Sequence, residues 1–474
     1  MERKNAWTTY TPEQLGELEQ LSQDYIAFIS ENKTERECAQ AAIRLAEAAG
    51  YVSLEDAVRE GAPLAAGSKV WAHTHGKALV LVHLGCAPLT EGFNILGAHI
   101  DSPRLDLKQN PLYESKDLAL LDTHYYGGIK KYQWVTLPLA LHGVVAKTDG
   151  TVVPVVVGED PSDPVFCVTD ILPHLGAAQM AKKTDKIVEG EDLDLLVGGR
   201  PLVFGEDDGG DDLTDEQKEA KKAPVKALCL QLLEEKYGIT EEDFLSAELE
   251  IVPAGPAREL GFDRSMVIGY GQDDRVCAYT SLVAQLAVEN PTKTVVCVLV
   301  DKEEIGSVGA SGMESLFFEN TMAEVMELAD CGGMLNLRRA LAASRMLSSD
   351  VSAGVDPLYA SVFEEKNAAF LGRGLVFNKY TGARGKSGSN DASAEFMAHV
   401  RKVMDNAGVA FQTAELGKVD AGGGGTIAFI PARYDMDVID SGVAVLSMHA
   451  PWEVTSKADI YEACKGYEAF LRNA

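Results

Sequence analysis

The sequence predicts an α/β fold in which a mixed sheet flanked by helices is interrupted by a β-rich insertion. Short runs of apolar, β-branched residues, of which residues 295–300 are the clearest, are typical of strands buried on both faces. Helical segments alternate with such runs in the first and last parts of the chain. Between these parts, residues 107–247 carry a series of short β-type segments. We therefore expect a discontinuous α/β domain, residues 1–106 and 248–474, and an inserted domain, residues 107–247.

Length, charge and cysteine usage limit the possible functions. A chain of 474 residues exceeds one simple core, and a hydrophobic content of 46% suffices for two. The 43 basic and 72 acidic residues give a formal charge of −29, which argues against nucleic acid or an anionic membrane as partner. The start of the sequence has no signal-peptide pattern, and no apolar run approaches the roughly 20 residues of a membrane span. Eight scattered cysteines without a C-x-x-C pair indicate reduced thiols in a cytoplasmic protein and argue against a zinc ribbon.

Two amphipathic helices are expected before the sheet. Thr11 followed by proline is a strong helix start, and this helix should continue to about Asn32. Thr34 and Glu37 form a capping box for a second helix, which should end at Gly50. Residues 78–84 and 93–98 are then predicted to be strands.

The insertion and the second α/β segment follow. Within the insertion, strands are expected at residues 134–139, 143–146, 151–157 and 164–169, and the acidic, glycine-containing residues 205–216 are expected to be a solvated loop. Helices are then predicted at 276–288, 313–328, 390–407 and 456–473. Strands are predicted at 295–300, 344–349 and 375–378, with a last strand that ends at 447–449.

Potential metal ligands are expected at five separate strand ends of the α/β domain. Ligands collect beyond the carboxyl ends of strands in such sheets, and histidine with carboxylate suits zinc and similar ions. Each residue alone also fits a structural role, as a buried histidine or a helix-capping carboxylate. Their joint placement favours a metal site, and two histidines with three carboxylates suffice for two ions if one carboxylate bridges. The five candidates are His99, Asp273, Glu304, Asp350 and His449.

Two further acids complete the predicted site. Asp101 lies two residues after His99, on the same side of an extended chain, and we expect it to orient the imidazole. Glu303 adjoins Glu304, so one carboxylate can bind a metal while the other moves protons. The pair His73 and His75 also has metal-binding spacing, but no acidic cluster flanks it, and we expect a surface or interface strand there.

These motifs occur in the order of the aspartyl aminopeptidase family, which includes aminopeptidase I and belongs to the dinuclear zinc exopeptidases. The sequence resembles that family over nearly its whole length, including residues 125–129 and the glycine run 422–425. The resemblance implies two divalent metal ions per subunit, zinc being expected and cobalt or manganese also suited. It implies that His99 binds one ion, His449 the other, and Asp273 both. Glu304 and Asp350 would complete the shells, and Glu303 would be the general base for removing N-terminal residues from peptides.

The resemblance also implies an assembly and a substrate pocket. Relatives use the β-rich insertion as a dimerisation domain and form tetrahedral dodecamers. Many relatives carry two histidines in that domain, and the second reaches into a neighbouring subunit's active site. Here the first, His174, is kept, and Ala178 stands where the second would be. Basic residues near an acidic substrate side chain would correspond to Lys379, Arg384 and Lys386, and Gly424 would border the substrate. Whether the N-terminal residue is acidic (Asp, Glu) or neutral (Leu, Met) stays open.

Two other functions fit parts of the pattern. One is another two-metal amide hydrolase of the wider clan, such as a deacylase or carboxypeptidase. The other is an inactive shell-forming or cargo-binding relative. The Asp-Lys-Glu-Glu-Ile-Gly motif at residues 301–306 and the insertion favour the aminopeptidase, and the presence of Glu303 with all five ligand candidates favours an active enzyme.

Overall fold

The computed structural model describes residues 4–204 and 214–474. By its internal contacts the chain divides into an α/β unit, Met1–Ser102 with Pro256–Ala474, and an insertion unit, Pro103–Gly255. Most of the predicted acidic loop, residues 205–213, lies outside the described residues. Among those that are described, no helix is long and apolar enough to cross a membrane.

Helices begin where the sequence supplies caps. The side chains of Thr11 and Thr34 each accept a hydrogen bond from the backbone N–H three residues on. The side chains of Gln14 and Glu37 in turn accept one from the backbone N–H of Thr11 and Thr34, so both predicted helix starts are confirmed. In chain order the helices are α1 Pro12–Glu31, α2 Glu35–Ala48, α3 Leu54–Glu60, α4 Ala177–Met180, α5 Asp215–Lys222, α6 Pro224–Tyr237, α7 Gln272–Ala287, α8 Phe317–Leu328, α9 Met334–Ala342, α10 Ala383–Lys386, α11 Ala394–Ala407 and α12 Lys457–Asn473.

The strands form three sheets. In chain order they are β1 Val52–Ser53, β2 Lys69–Thr74, β3 Ala78–His83, β4 Asn94–His99, β5 Arg104–Ser115, β6 Leu118–Tyr126, β7 Leu139–Ala146, β8 Val152–Val157, β9 Cys167–Val168, β10 Leu195–Gly198, β11 Ala247–Pro253, β12 Arg258–Leu260, β13 Met266–Gly269, β14 Val295–Val300, β15 Arg345–Ser349, β16 Ser352–Ala353, β17 Leu375–Asn378, β18 Phe411–Thr413, β19 Asp437–Gly442, β20 Ala444–Leu446 and β21 Glu453–Ser456.

The α/β unit contains a central sheet with strand order β1-β2-β3-β14-β4-β15-β19-β17-β18 and a small sheet with order β12-β13-β21-β20-β16. In the central sheet β14, β4, β15 and β19 are parallel, whereas β3 is antiparallel to β14 and β17 is antiparallel to β19, so the predicted mixed sheet is confirmed. The carboxyl ends of the parallel strands therefore meet at one edge.

Strand β14 shows why this sheet is stable. Alternate residues of a strand point to opposite faces, and here both faces are covered. Val295, Cys297 and Leu299 belong to a core cluster with residues of α1, α2, α7 and α12, whereas Val296 and Val298 belong to one with residues of α8 and α9. Burial on both faces holds the strand end, and the residues that follow it, in one position.

The insertion unit contains an antiparallel sheet with order β8-β7-β11-β5-β6-β10-β9 and the helices α4, α5 and α6. The predicted strand at residues 134–139 is wrong. Thr136 has a positive φ of 61° and Pro138 lacks an N–H, so the chain turns there and β7 begins only at Leu139. The prediction at 164–169 holds only for β9.

The sequence analysis also missed the hairpin of β5 and β6. Its two strands are joined by Lys116 and Asp117, both with positive φ, at 54° and 59°. Such turns usually contain Asn-Gly or Asp-Gly, and Lys116-Asp117 lacks that signal. The helices α3, α5, α6 and α9 and the strand β21 were also not predicted.

Gly442, at the end of β19, allows the close approach of two strand ends. A Cβ atom on this residue would overlap the backbone carbonyl of Asp350. We expect Gly442→Ala to lower the unfolding free energy by about 1–3 kcal/mol, because an added methyl group displaces backbone in a packed region. Thermal melting of the purified variant measures this.

Gly16→Ala is the matched control. Gly16 lies inside α1, and a Cβ there meets no atom within 4 Å. It should raise stability by about 0.5–1 kcal/mol through the higher helix propensity of alanine. Equal melting temperatures for the two variants would contradict the close approach at Gly442.

Candidate active site

Four residues of the candidate site lie at the ends of three neighbouring strands of the central sheet. His99 is the last residue of β4, Asp350 follows β15, and Glu303 and Glu304 form a short 3-10 turn just after β14. Because β14 and β15 both pair in parallel with β4, these side chains meet at one edge of the sheet. This location agrees with the sequence prediction for all four residues.

Two residues reach the same point from other elements. Asp273 lies at the start of α7, where it and Asp274 depart from helical geometry and are joined by a cis peptide bond. His449 follows β20 in a turn with a positive φ of 64°. The last predicted strand therefore ends at Leu446 rather than at His449.

The Asp273 carboxylate lies between the two histidines. Its Oδ1 atom is 3.2 Å from Nε2 of His99, and its Oδ2 atom is 3.2 Å from Nε2 of His449. Around this arrangement, Asp350 and Glu303 each place an oxygen 3.9 Å from Nε2 of His99, and Glu304 places one 3.7 Å from Nε2 of His449. The structure thus brings together all five predicted metal ligands and the predicted base.

Asp101 connects the histidine to the two glutamates. The Nδ1 atom of His99 lies 3.1 Å from the backbone oxygen of Asp101 and 3.3 Å from its Oδ1 atom. The two carboxylate oxygens of Asp101 accept hydrogen bonds from the backbone N–H groups of Glu303 and Glu304, each at 3.2 Å. One fully buried aspartate therefore contacts the imidazole and holds the loop that carries the glutamates.

Burial makes it unfavourable for the clustered carboxyl groups to ionise. Burial, together with neighbouring carboxylates, raises the pKa of Glu303 to about 7 and raises the pKa of Glu304 and Asp350 well above the usual range. Burial also opposes ionisation of Asp273, but hydrogen bonds and charges from His449 and His99 outweigh it and lower the pKa. A cation within the cluster would relieve this repulsion between acids.

The side chains present fit a metal ion. Ligand atoms of Asp273, Glu304 and His449 lie within 4.8 Å of one another, as do those of His99, Asp274 and Asp350. The buried Oε1 atom of Glu304 has no hydrogen-bond partner among the described residues. Imidazole nitrogen and carboxylate oxygen are the donors that zinc accepts in sites without thiolates.

Two residues of this site were missed by the sequence analysis. Asp274 was not among the candidates, but its Oδ2 atom accepts a 3.4 Å hydrogen bond from the His99 backbone N–H. Glu453, at the start of β21, is buried, and its oxygens accept hydrogen bonds from the backbones of Asp273 at 3.1 Å and His449 at 2.7 Å. Asp274 had a signal, since it adjoins Asp273, whereas nothing in the sequence around Glu453 indicates these bonds.

The predicted substrate residues lie elsewhere. Lys379 and Lys386 form ion pairs with Asp391, and Gly424 belongs to the run that leads into Thr426. Arg384 is in α10, but its side chain lies outside what the structure describes. His174 lies in an exposed turn of the insertion unit. Of the competing histidine pair, His73 is an exposed residue of β2, and His75 lies in the turn after it.

Comparisons with known proteins identify the family of this chain. Residues 28–471 match the family model described as aminopeptidase I zinc metalloprotease (M18). A probable M18 family aminopeptidase 1 from Clostridium acetobutylicum is 59% identical over 472 residues, covering 100% of this chain and 98% of the relative.

Solved structures give the same result. The crystal structure of an M18 family aminopeptidase from Thermotoga maritima superposes with a TM-score of 0.92 at 43% identity, covering 100% of both chains. The S. cerevisiae mApe1 dodecamer, at 19% identity, shares the fold, with a TM-score of 0.74 over 95% of this chain and 96% of that one. The α/β fold class is therefore confirmed, and the chain belongs to the M18 family of zinc aminopeptidases.

Proposed function

We propose that this protein is a dinuclear metallo-aminopeptidase that releases the N-terminal residue of peptides. The observation that carries the proposal is the position of Asp273, which directs one carboxylate oxygen to each of two histidines at 3.2 Å. A carboxylate placed in this way can bridge two metal ions. Asp350 with His99, and Glu304 with His449, would complete the two sets of ligands.

The metal ions, when bound, lower the pKa of a water molecule and polarise the scissile carbonyl group. Metal binding needs deprotonated carboxylates and neutral imidazoles. It also benefits from neighbouring groups that hold the ligands in position. Asp101 would hold the His99 ring through its contact with Nδ1. Glu453 would hold Asp273 and His449 by accepting hydrogen bonds from their backbone N–H groups.

Glu303 is the proposed general base. Its backbone N–H is held by Asp101, and its side chain remains 16% exposed, so water and substrate can reach the carboxylate. It accepts a proton from the attacking water and donates it to the leaving amine, a transfer that contributes about 10²–10⁴-fold in rate. Glu304, whose side chain is only 3% exposed, faces His449 instead and is the ligand.

A free α-amino group is the feature that would direct cleavage to the amino terminus. Every N-terminal residue provides this group, and an internal peptide bond lacks it. Held beside the metal ligands, it would place the first peptide bond next to Glu303.

The insertion unit is the proposed dimerisation domain of a homo-oligomer, and the α/β unit is the proposed catalytic domain. A tetrahedral dodecamer is the assembly we propose, supported by the dodecameric S. cerevisiae structure of the same fold. The eight free cysteines support the cytoplasm as location, because thiols stay reduced there.

Glu303→Gln tests the base. The amide cannot accept the proton, so we expect turnover of a chromogenic leucine anilide to fall by at least about 10²-fold, with metal content unchanged by elemental analysis. Glu324→Gln, an exposed change on α8, is the control and should keep full activity. Retained turnover in Glu303→Gln would rule out this mechanism.

Asp273→Asn tests the bridge. The amide keeps the size of the side chain but loses one anionic oxygen, so we expect both ions to bind more weakly. His449→Ala should instead weaken one ion and leave the other, which lies on the His99 side. Metal titration followed by elemental analysis distinguishes the two patterns, and an unchanged two-ion content in Asp273→Asn would contradict the bridge.

Glu453→Gln tests the support of the ligands. One of its two backbone hydrogen bonds is lost, and changes behind metal ligands usually cost about 10–100-fold in metal affinity. Competition with a chelator measures the affinity, and the cobalt absorption spectrum reports the ligand geometry. Glu462→Gln is the matched control, since this buried glutamate accepts a hydrogen bond from Ala410 rather than from a ligand. Equal metal affinity in both variants would refute the role of Glu453.

A further inference from the structure

We infer that the outer edge of β18 is a docking surface for a short, extended segment of acidic peptide, which adds to the central sheet as one more strand. β18 is the last strand of this nine-stranded sheet. It lies three strands beyond β15, which Asp350 follows, so this surface is separate from the candidate active site. The inference therefore does not rest on the proposed aminopeptidase function.

A cleft of about 840 Å³ lies beside β18 in the α/β unit, and all three residues of the strand line it. One wall consists of Met397 and Arg401, which are four residues apart and so share one face of α11. The other, here called the loop wall, comes from residues 365–373. The cleft has the volume of about 28 water molecules, which is room for a few residues of extended chain.

The backbone of β18 has hydrogen-bonding groups that point away from the sheet. The ladder with β17 continues to Ala414, whose N–H donates to the carbonyl oxygen of Phe377 at 3.1 Å. Because the N–H groups of successive residues in a strand point to opposite edges, the N–H and C=O groups of Thr413 point to the outer edge. Neither group has a hydrogen-bond partner among the described residues.

The loop wall is fixed to β18 by hydrogen bonds. Oε1 of Gln412 accepts a bond from the N–H of Phe370 at 3.0 Å, and Nε2 of Gln412 donates to the Phe370 carbonyl at 2.8 Å. The N–H of Glu415 donates to the carbonyl oxygen of Asn367 at 2.6 Å. Glu415 lies two residues after Thr413, so its N–H points to the same outer edge. The chain therefore already pairs with this edge at one end of the cleft, and the cleft is preformed.

The charges of the lining favour an acidic occupant. Lys366, Arg373 and Arg401 line the cleft, whereas Glu365 is the acid among its described lining residues. Neither Lys366 nor Arg401 forms an ion pair within the part of the chain that the structure describes. Arg373 stacks on the ring of Phe370, with 4.3 Å between the guanidinium carbon and the ring centre. Such an excess of cations contrasts with a chain of 72 acidic and 43 basic residues, and it complements a partner that carries carboxylates.

The exposed edge selects a peptide among possible anions. A strand that adds to a sheet edge gains main-chain hydrogen bonds whatever its sequence, and its side chains then provide selectivity. Carboxylates in the added strand would meet Lys366 and Arg401. A nucleic acid or a polyphosphate has the charge but lacks the alternating amide groups that pair with the backbone of Thr413.

The probe for this surface is an acetylated six-residue peptide that alternates glutamate with valine and carries a fluorophore at its carboxyl end. Acetylation blocks the α-amino group, so the peptide is not an aminopeptidase substrate. Fluorescence anisotropy with the full-length, metal-loaded protein should show saturable binding that weakens as salt is added. Lys366→Gln combined with Arg401→Gln should raise Kd by about tenfold, because exposed ion pairs each contribute modestly.

A matched variant controls for net charge. Arg44→Gln combined with Lys402→Gln removes the same charge from exposed positions on α2 and α11 that do not line the cleft. This variant should bind the peptide as the wild type does. An equal loss of affinity in the two double variants would show that only the overall charge of the protein matters, and it would overturn the inference.

The added strand is tested through the backbone. Thr413→Pro removes an N–H that takes no part in the ladder with β17, and proline is tolerated on edge strands. It should raise Kd by about tenfold, as expected for one lost hydrogen bond. A fully N-methylated peptide of the same sequence keeps the charge but cannot pair, so it should not bind the wild type. This second probe applies even if Thr413→Pro melts far below the wild type.

Each outcome supports or overturns the inference. The expected result is saturable binding that is weakened in the cleft variant, kept in the charge control and lost with the N-methylated peptide. No saturable binding to the wild type at millimolar peptide overturns the inference. Retained binding of the N-methylated peptide, or unchanged affinity in a folded Thr413→Pro variant, would show attraction between charges without strand addition and overturns it as well.

Discussion

The structure depends on the parallel alignment of β14, β4 and β15. Their carboxyl ends meet at one edge of a sheet that is buried on both faces. Carboxylates and an imidazole are thereby concentrated where water is largely excluded, and the acids repel one another. Surrounding groups that hold the side chains, together with a cation bound among them, would offset this repulsion. Asp101 accepts hydrogen bonds from the backbone N–H groups of Glu303 and Glu304. Glu453 accepts them from those of Asp273 and His449, so both acids hold site residues in place.

Site residues could be predicted from the sequence where a recognisable local pattern, such as an apolar strand, precedes them. Strand β14 is an unbroken apolar run, so its end and the following glutamates were recognisable. His99 and Asp350 also come at the ends of predicted strands, and their places were predicted for that reason. Glu453 was not, because its role consists of hydrogen bonds to the backbones of Asp273 and His449, and its carboxylate has no local pattern that distinguishes it from a surface glutamate.

The insertion was harder to predict in detail. Its β-rich character was recognised, but β5 and β6 mix buried and exposed residues, contain many polar side chains and are joined by a turn at Lys116 and Asp117. The helix α6 was missed although proline begins it, since the neighbouring β-type runs favoured strands. The ion pairs between β17 and α11 were also not predictable. The ion pairs between Asp391 and two lysines join residues that are 12 and 5 positions apart, within a loop without regular periodicity.

The pairing of β5 with β11 has a consequence for folding. Asp106 pairs with Glu250 and Leu105 with Ile251, so the first and last strands of the insertion unit are neighbours in its sheet. His99 and Asp274 are separated by 175 residues, and Asp101 and Glu303 by 202. Closing such long loops costs chain entropy and slows folding. Once the insertion folds, its two ends are fixed side by side, and most of the intervening chain no longer adds to that cost. Folding of the insertion would therefore bring the two segments of the α/β unit, residues 1–102 and 256–474, close together at the points where they join it.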